Sequence, residues 1–197
     1  ISNYKIFYSR NSKNLGCGYG HNTGYKIAIN NNFDLVARID NDMEMPKNFF
    51  LKILKNFENQ NIQAVSPKIL YKEARNNIWW MGTTIDNNLK FQRHMRNYKY
   101  GEKDKNFKNK IISSDAVAGC ASIMRVKRLK KVGLSDKDFF YGPEDIELSR
   151  RLSTNKNSLI VDLNSNIYHG VSKSFTDIPL KRVYFEYKYR LLLIKKI

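Results

Sequence analysis

The sequence predicts an α/β fold with a mostly parallel central sheet flanked by helices, and two patterns carry that prediction. Short apolar runs rich in β-forming residues occur at 6–8, 35–39, 64–66, 116–124 and 159–161. Between them, apolar residues return at helical spacing, and strands that alternate with helices build such sheets. The length of 197 residues, 42% of them hydrophobic, suits a single domain around one core.

Taken in order, the run at 6–8 opens the sheet, and the glycine-rich turn 14–20 leads into a short helix over 25–30. The apolar run 35–39 is the next strand. Pro46 suits the first position of a helix that continues to about 59, with Phe50, Ile53, Leu54 and Phe57 on one face. From 71 to 110 the pattern weakens into a polar stretch rich in Asn and Lys, broken by Ile78-Trp79-Trp80-Met81-Gly82. Long irregular segments inside compact domains carry function or move. Pro143, followed by three acids, reads as a helix start, with Leu148 and Leu152 facing inward. The last element, 178–197, reads as a basic amphipathic helix: Leu180, Tyr184, Tyr187, Leu191 and Ile194 share one face, and Lys181, Lys188 and Lys195 another. Packing on the sheet and contact with a membrane surface both fit it.

Lys and Arg number 35 against 18 Asp and Glu, a net charge of +17. Such a surface favours anionic partners: nucleic acid, an acidic membrane, or a phosphorylated small substrate. Cys17 and Cys120 are the two cysteines, far apart and outside any CxxC motif, so neither a zinc site nor a disulfide framework is indicated. No run of apolar residues is long enough to span a bilayer, and no secretory signal is visible.

Two acidic knots stand out on this basic background. Asp40 and Asp42 follow the strand at 35–39, so strand geometry aims both carboxylates to one side at its C-terminal end, where ligands bind in open α/β sheets. Hard oxygen donors there suit Mg²⁺ or Mn²⁺ shared with substrate phosphates. A solvated Asp-Asn-Asp turn is the alternative. An EF-hand is a poorer fit, because Met43-Glu44-Met45-Pro46 lacks the required glycine.

The second knot is Glu144-Asp145-Ile146-Glu147, preceded by Phe139-Phe140-Tyr141-Gly142. Acids in a first helical turn are favoured by the helix dipole alone. An aromatic wall beside them can also raise a carboxylate toward general-base duty, and only one of Glu144 and Asp145 should aim into a site. His169 follows a second strand-like run, where it is either a ligand or a hydrogen-bonded core residue. Trp79 and Trp80 could stack on a sugar or a base, or fill the core. The glycine turn matches neither GxGxxG nor GxxxxGK[ST], so no dinucleotide or Walker motif is present.

In their order along the chain, these motifs closely resemble family 2 glycosyltransferases of the GT-A fold, and within them a rhamnosyltransferase-like branch of bacterial polysaccharide synthesis. The resemblance rests on Asn14-Leu15-Gly16 with Asn22-Thr23-Gly24, Asp40-Asn41-Asp42, Gly119, Arg125, Gly133-Leu134-Ser135-Asp136, Phe139-Phe140 leading to Glu144-Asp145, Arg151 and His169. It implies a GT-A-like domain over 1–197 that begins after its first strand and the aspartate that holds the nucleotide base. It also implies that Asp40, Asp42 and His169 hold the metal, and that Asp145 is the general base, with Glu144 less favoured. Substrate contacts are expected from Asn14, Gly16, Asn22, Asp40, Trp79, Trp80, Gly119, Tyr141 and Arg151. Near the end only Arg190 matches the Arg-Asn of the family.

The expected activity is metal-dependent, inverting transfer from a nucleotide-sugar, a dTDP- or UDP-sugar, to a glycan or lipid-linked acceptor. The expected place is the cytoplasm, peripheral to the inner face of the plasma membrane. A basic nucleic-acid-binding module is the rival, but it leaves both acidic knots without a use. An inactive glycosyltransferase fragment is the third reading.

Overall fold

The computed structural model of the chain describes residues 5–85, 95–97, 99–105, 107, 110–170 and 179–196. In order, its elements are helix α1 (Cys17–Asn30), strands β1 (Leu35–Ile39) and β2 (Met43–Glu44), helix α2 (Phe49–Ile53) continued by a 3-10 turn (Leu54–Glu58), and strands β3 (Ala64–Tyr71), β4 (Ile78–Trp80), β5 (Thr83–Ile85), β6 (Met95–Asn97), β7 (Ile111–Ser113) and β8 (Ala121–Arg125). Helices α3 (Val126–Val132) and α4 (Glu144–Leu152), strand β9 (Leu159–His169) and helix α5 (Pro179–Lys196) complete the described chain.

The predicted α/β class stands, and the sheet within it is mixed. Its order is β1-β8-β3-β9-β2, with β4 added to β3 and β7 to β9. Among the described residues, β3 and β9 form the parallel ladder, whereas β1 with β8, β3 with β8 and β2 with β9 run antiparallel. The parallel share is therefore smaller than the sequence predicts.

Neighbouring residues of the central strands feed opposite faces. Val65, Ile123 and Ile160 pack with Phe49, Ile53 and Phe57, while Ala64, Met124 and Leu159 pack with Tyr25, Leu129, Leu148 and Leu152. The sheet is thus buried on both sides, by α2 on one and by α1, α3 and α4 on the other, as two-residue alternation requires. Pro67 interrupts β3, where the register against β9 jumps from Pro67↔Asp162 to Lys68↔Asn166. Proline has no N–H to give the ladder, and a bulge absorbs the loss.

Several local expectations give way. Residues 6–8 form no strand, and Ile6 is 92% exposed. The run at 116–124 is a strand only from Ala121 onward. Helix α2 begins at Phe49, whose N–H donates to the Pro46 carbonyl, and its second half tightens to 3-10. Helix α1 absorbs the glycine turn: Gly18 lies where a Cβ would meet the Asp136 carbonyl at 3.1 Å, and Asn22 exchanges two hydrogen bonds with the Ser135 backbone at 2.8 and 2.9 Å. That docking outweighs the low helix propensity of glycine. Within the polar stretch, Ile78 and Trp80 are buried strand residues.

Candidate active site

A cavity of about 750 Å³ opens at the C-terminal end of β1. Asp40 follows that strand directly, with its N–H donating to the Cys120 carbonyl at 2.9 Å. Two residues on, the Asp42 carbonyl accepts from Gly170 N–H at 3.0 Å, and Met43 pairs with His169 in the β2·β9 ladder. The short strand β2 thereby brings the Asp42 carboxylate within 3.4 Å of His169 Nε2. His169 is held edge-on by Trp79, ring centroids 4.3 Å apart, and its buried Nδ1 has no hydrogen-bond partner among the described residues.

The opposite wall is the start of α4. Gly16 adopts φ 88° and sits so close to Phe140 that a Cβ would lie 2.3 Å from its carbonyl oxygen, while Cys17 N–H donates to that oxygen at 2.9 Å. The left-handed conformation and the missing side chain are both required there. The contact fixes the 140–142 loop, and Glu144 and Asp145 follow from it into the cavity. Asp145 accepts from Ile146 N–H at 2.9 Å and lies against Gly119, where a Cβ would be 2.8 Å from Oδ2. Glu144 Oε2 is buried without a hydrogen-bond partner among the described residues.

Burial governs the charges. Asp40 keeps solvent contact, yet partial desolvation by the protein around it pushes its carboxyl up to about 6, with Arg38 opposing the rise and Asp42 and Asp145 adding to it. Glu144 rises to about 7, first through burial and then through Asp145. Asp145 is likewise raised by burial, against the pull of Arg38 and the backbone donors. Arg38, a residue the sequence reading passed over, is the buried cation of this cluster: Nη2 donates to the Ala118 carbonyl at 3.0 Å, and Nη1 lies 3.4 Å from His21 Nδ1. Burial lowers His21 to about 3, so its 3.9 Å approach to Glu144 is that of a neutral ring rather than an ion pair. A charged residue in the apolar run at 35–39, spaced two from Asp40, was the available signal. Burial raises the Cys120 thiol, which is therefore no activated nucleophile, and Cys17 is solvent-exposed.

Asn14, Gly16, Asp40, Asp42, Trp79, Gly119, Tyr141, Glu144, Asp145 and His169 therefore meet at one cavity, joined by Glu186 and Arg190 from α5. Three expected contacts do not. Asn22 is committed to Ser135. Trp80 is in the core, its indole N–H bonded to Thr83. Arg151 forks onto Glu147 at 2.6 Å and donates to the carbonyls of Val132, Gly133 and Leu134, which makes it a cap for the end of α3. Arg125 has a similar structural use, donating to the Ile62 and Phe57 carbonyls at 2.7 and 2.6 Å.

A divalent cation is the group this donor set suits. Among the described residues no three His, Cys, Asp or Glu side chains converge on a point. However, the Asp42 carboxylate beside a neutral-tending imidazole, with Asp40 in the same cavity, fits a small hard cation that takes only one or two protein carboxylates and fills its remaining positions with water and phosphate.

Residues 1–133 match the family described as glycosyl transferase family 2. The chain belongs to that family. Among solved structures it is similar to GalNAc-T7, solved with UDP, GalNAc and Mn²⁺, at 14% identity and a TM-score of 0.59 over 82% of this chain and 31% of that one. It is also similar to A197 from STIV, at 14% identity and a TM-score of 0.50 over 85% of this chain and 72% of that one. Both likenesses are of fold, which is GT-A-like. The chain spans about a third of the GalNAc-T7 chain. No curated protein sequence matches it.

Proposed function

We propose that this domain catalyses metal-dependent, inverting transfer of a hexosyl or rhamnosyl group from a nucleoside-diphosphate sugar to a hydroxyl of a glycan or lipid-linked acceptor, as in surface polysaccharide assembly. The observation that carries this reading is the pairing of two acidic walls across one cavity: Asp40, Asp42 and His169 on one side, Glu144 and Asp145 on the other. Asp42 and His169, with Asp40, would hold Mg²⁺ or Mn²⁺, which supplies charge neutralisation to a diphosphate leaving group.

Asp145 accepts the proton of the acceptor hydroxyl as its oxygen attacks the anomeric carbon, and a raised carboxylate is suited to that work near neutral pH. Backbone donors and Gly119 fix its orientation, so little rearrangement precedes the transfer. Asn14, Gly16, Tyr141 and Trp79 shape the rest of the cavity for sugar and base. A nucleic-acid module would leave this acidic cavity unused, and its like charge would repel phosphates brought without a cation.

Titration with UDP or dTDP, with and without Mn²⁺, tests the reading. Saturable binding that needs the cation and weakens at least tenfold in Asp42→Asn is expected. Cation-independent binding, or none, would overturn it. Asp145→Asn should keep nucleotide affinity within about twofold while kcat falls about 10²- to 10⁴-fold.

A further inference from the structure

Helix α5 has two apolar faces, and among the described residues one of them packs against the rest of the chain. Tyr189 and Leu193 are buried with Phe139, and Phe185, Leu192, Phe140, Tyr141 and Ile146 pack against that cluster. Phe140 meets Phe185 at 5.4 Å, and Lys196 is tied to Asp136 and Asp138. Along the border of this face, Glu186 and Arg190 line the cavity.

The opposite face is the one the sequence singled out. Leu180, Val183, Tyr184, Tyr187, Leu191 and Ile194 fall within an arc of roughly 100° at 3.6 residues per turn. All are exposed, Leu180 by 84% and Tyr187 and Leu191 by 67% each. Lys181, Lys188 and Lys195, also exposed, run along one edge of this stripe at intervals of seven residues. The ammonium of Lys188 lies over the Tyr184 ring at 5.6 Å, so apolar and cationic groups form one continuous surface. No helix among the described residues is long and apolar enough to cross a membrane. A stripe of leucine and tyrosine edged with lysine is instead the pattern of a helix that lies in a bilayer interface, where rings and aliphatic chains sink below the headgroups and lysines meet lipid phosphates.

We infer that α5 docks this domain onto an anionic phospholipid bilayer through the Leu180–Tyr184–Tyr187–Leu191–Ile194 stripe and its lysine edge. Partner and surface are complementary in charge: the chain carries +17, and the lysines stand where headgroup phosphates would lie. Since the inner side of the same helix lines the cavity, docking sets the proposed acceptor site beside the lipid surface, which favours a lipid-linked acceptor over a free glycan. That siting rests on the transfer reading above; the docking itself does not.

Flotation of the purified chain with vesicles tests it, using phosphatidylcholine alone and phosphatidylcholine with about one third phosphatidylglycerol. Binding to the anionic vesicles is expected, at least tenfold tighter than to the neutral ones and weakened by salt. The double substitution Tyr187→Ser with Leu191→Ser alters no charge, so it separates the stripe from general basicity. It should reduce binding at least tenfold while near-ultraviolet circular dichroism stays as in the wild type. Lys181→Gln with Lys188→Gln and Lys195→Gln should do the same on anionic vesicles only. Absence of vesicle binding, or binding indifferent to the Tyr187/Leu191 pair, overturns the inference. A wild-type dimer that the pair dissolves, without vesicle binding, overturns it in favour of a second copy as the occupant. Mn²⁺-dependent nucleotide binding, measured on the same samples, reports on the transfer reading separately, so either can fail alone.

Discussion

Asp145 owes its proposed role to what surrounds it rather than to its place in the sequence. Burial raises its pKa and Gly119 leaves it just enough room. Gly119→Ala would press a methyl against Oδ2 and rotate the carboxylate, a displacement expected to cost kcat about 10- to 100-fold with little change in Tm. In a kcat–pH profile the acid limb should lie above the ordinary carboxylate value of about 4, because the base must lose its proton to work. Glu144 poses the opposite question. Its folded pKa of about 7 lies above its usual 4.5, so the native state binds its proton more tightly. That contribution to stability is complete below about 4.5 and is lost as pH rises through about 7. Glu144→Gln should therefore raise stability at pH 8 by about 1 to 2 kcal/mol, leave it unchanged near pH 4, and flatten the Tm–pH curve between. Thermal melts across pH check this.

Elements place these residues, and some conspicuous side chains serve only the elements. Arg151 joins α4 to the end of α3 through Glu147 and three carbonyls, so Arg151→Ala should cost about 2 to 3 kcal/mol in denaturant unfolding yet leave nucleotide affinity unchanged. Asp40 was legible from spacing alone: a short apolar strand followed by Asp-x-Asp puts carboxylates at a strand end. The length of α1 was not, because glycines discourage helix locally, and only the fit of Gly18 and Asn22 against 135–136 explains why the helix runs through them. The single apolar face expected of α5 became two, since residues 3.6 per turn allow Phe185, Tyr189 and Leu193 to pack while the longer stripe stays outside.

At the scale of the molecule, the sheet acts as the device that brings distant acids together. Asp40 follows the end of β1, β9 ends at His169, and α4 begins at Glu144, so residues more than a hundred positions apart share one cavity. Ligand occupancy should then be felt by the whole fold. A nucleoside diphosphate with Mn²⁺ at a hundredfold excess over Kd should stabilise the chain by about 2.7 kcal/mol. The rise in Tm should disappear with EDTA or in Asp42→Asn, whereas Mn²⁺ alone should give a smaller one. A rise that ignores the cation would contradict a shared metal and diphosphate site.

The sequence by itself determined the α/β class, the family to which the chain belongs, and the acids on which a site could be built. These depend on period, residue type and order, all of which are local. The tertiary structure decided which residues meet. It set Arg38 and His21 among the carboxylates, drew Asn22, Trp80 and Arg151 away into structural bonds, and turned one face of α5 inward and the other out. Burial, close approach and desolvation are properties of neighbours in space, and one-dimensional spacing carries no record of them.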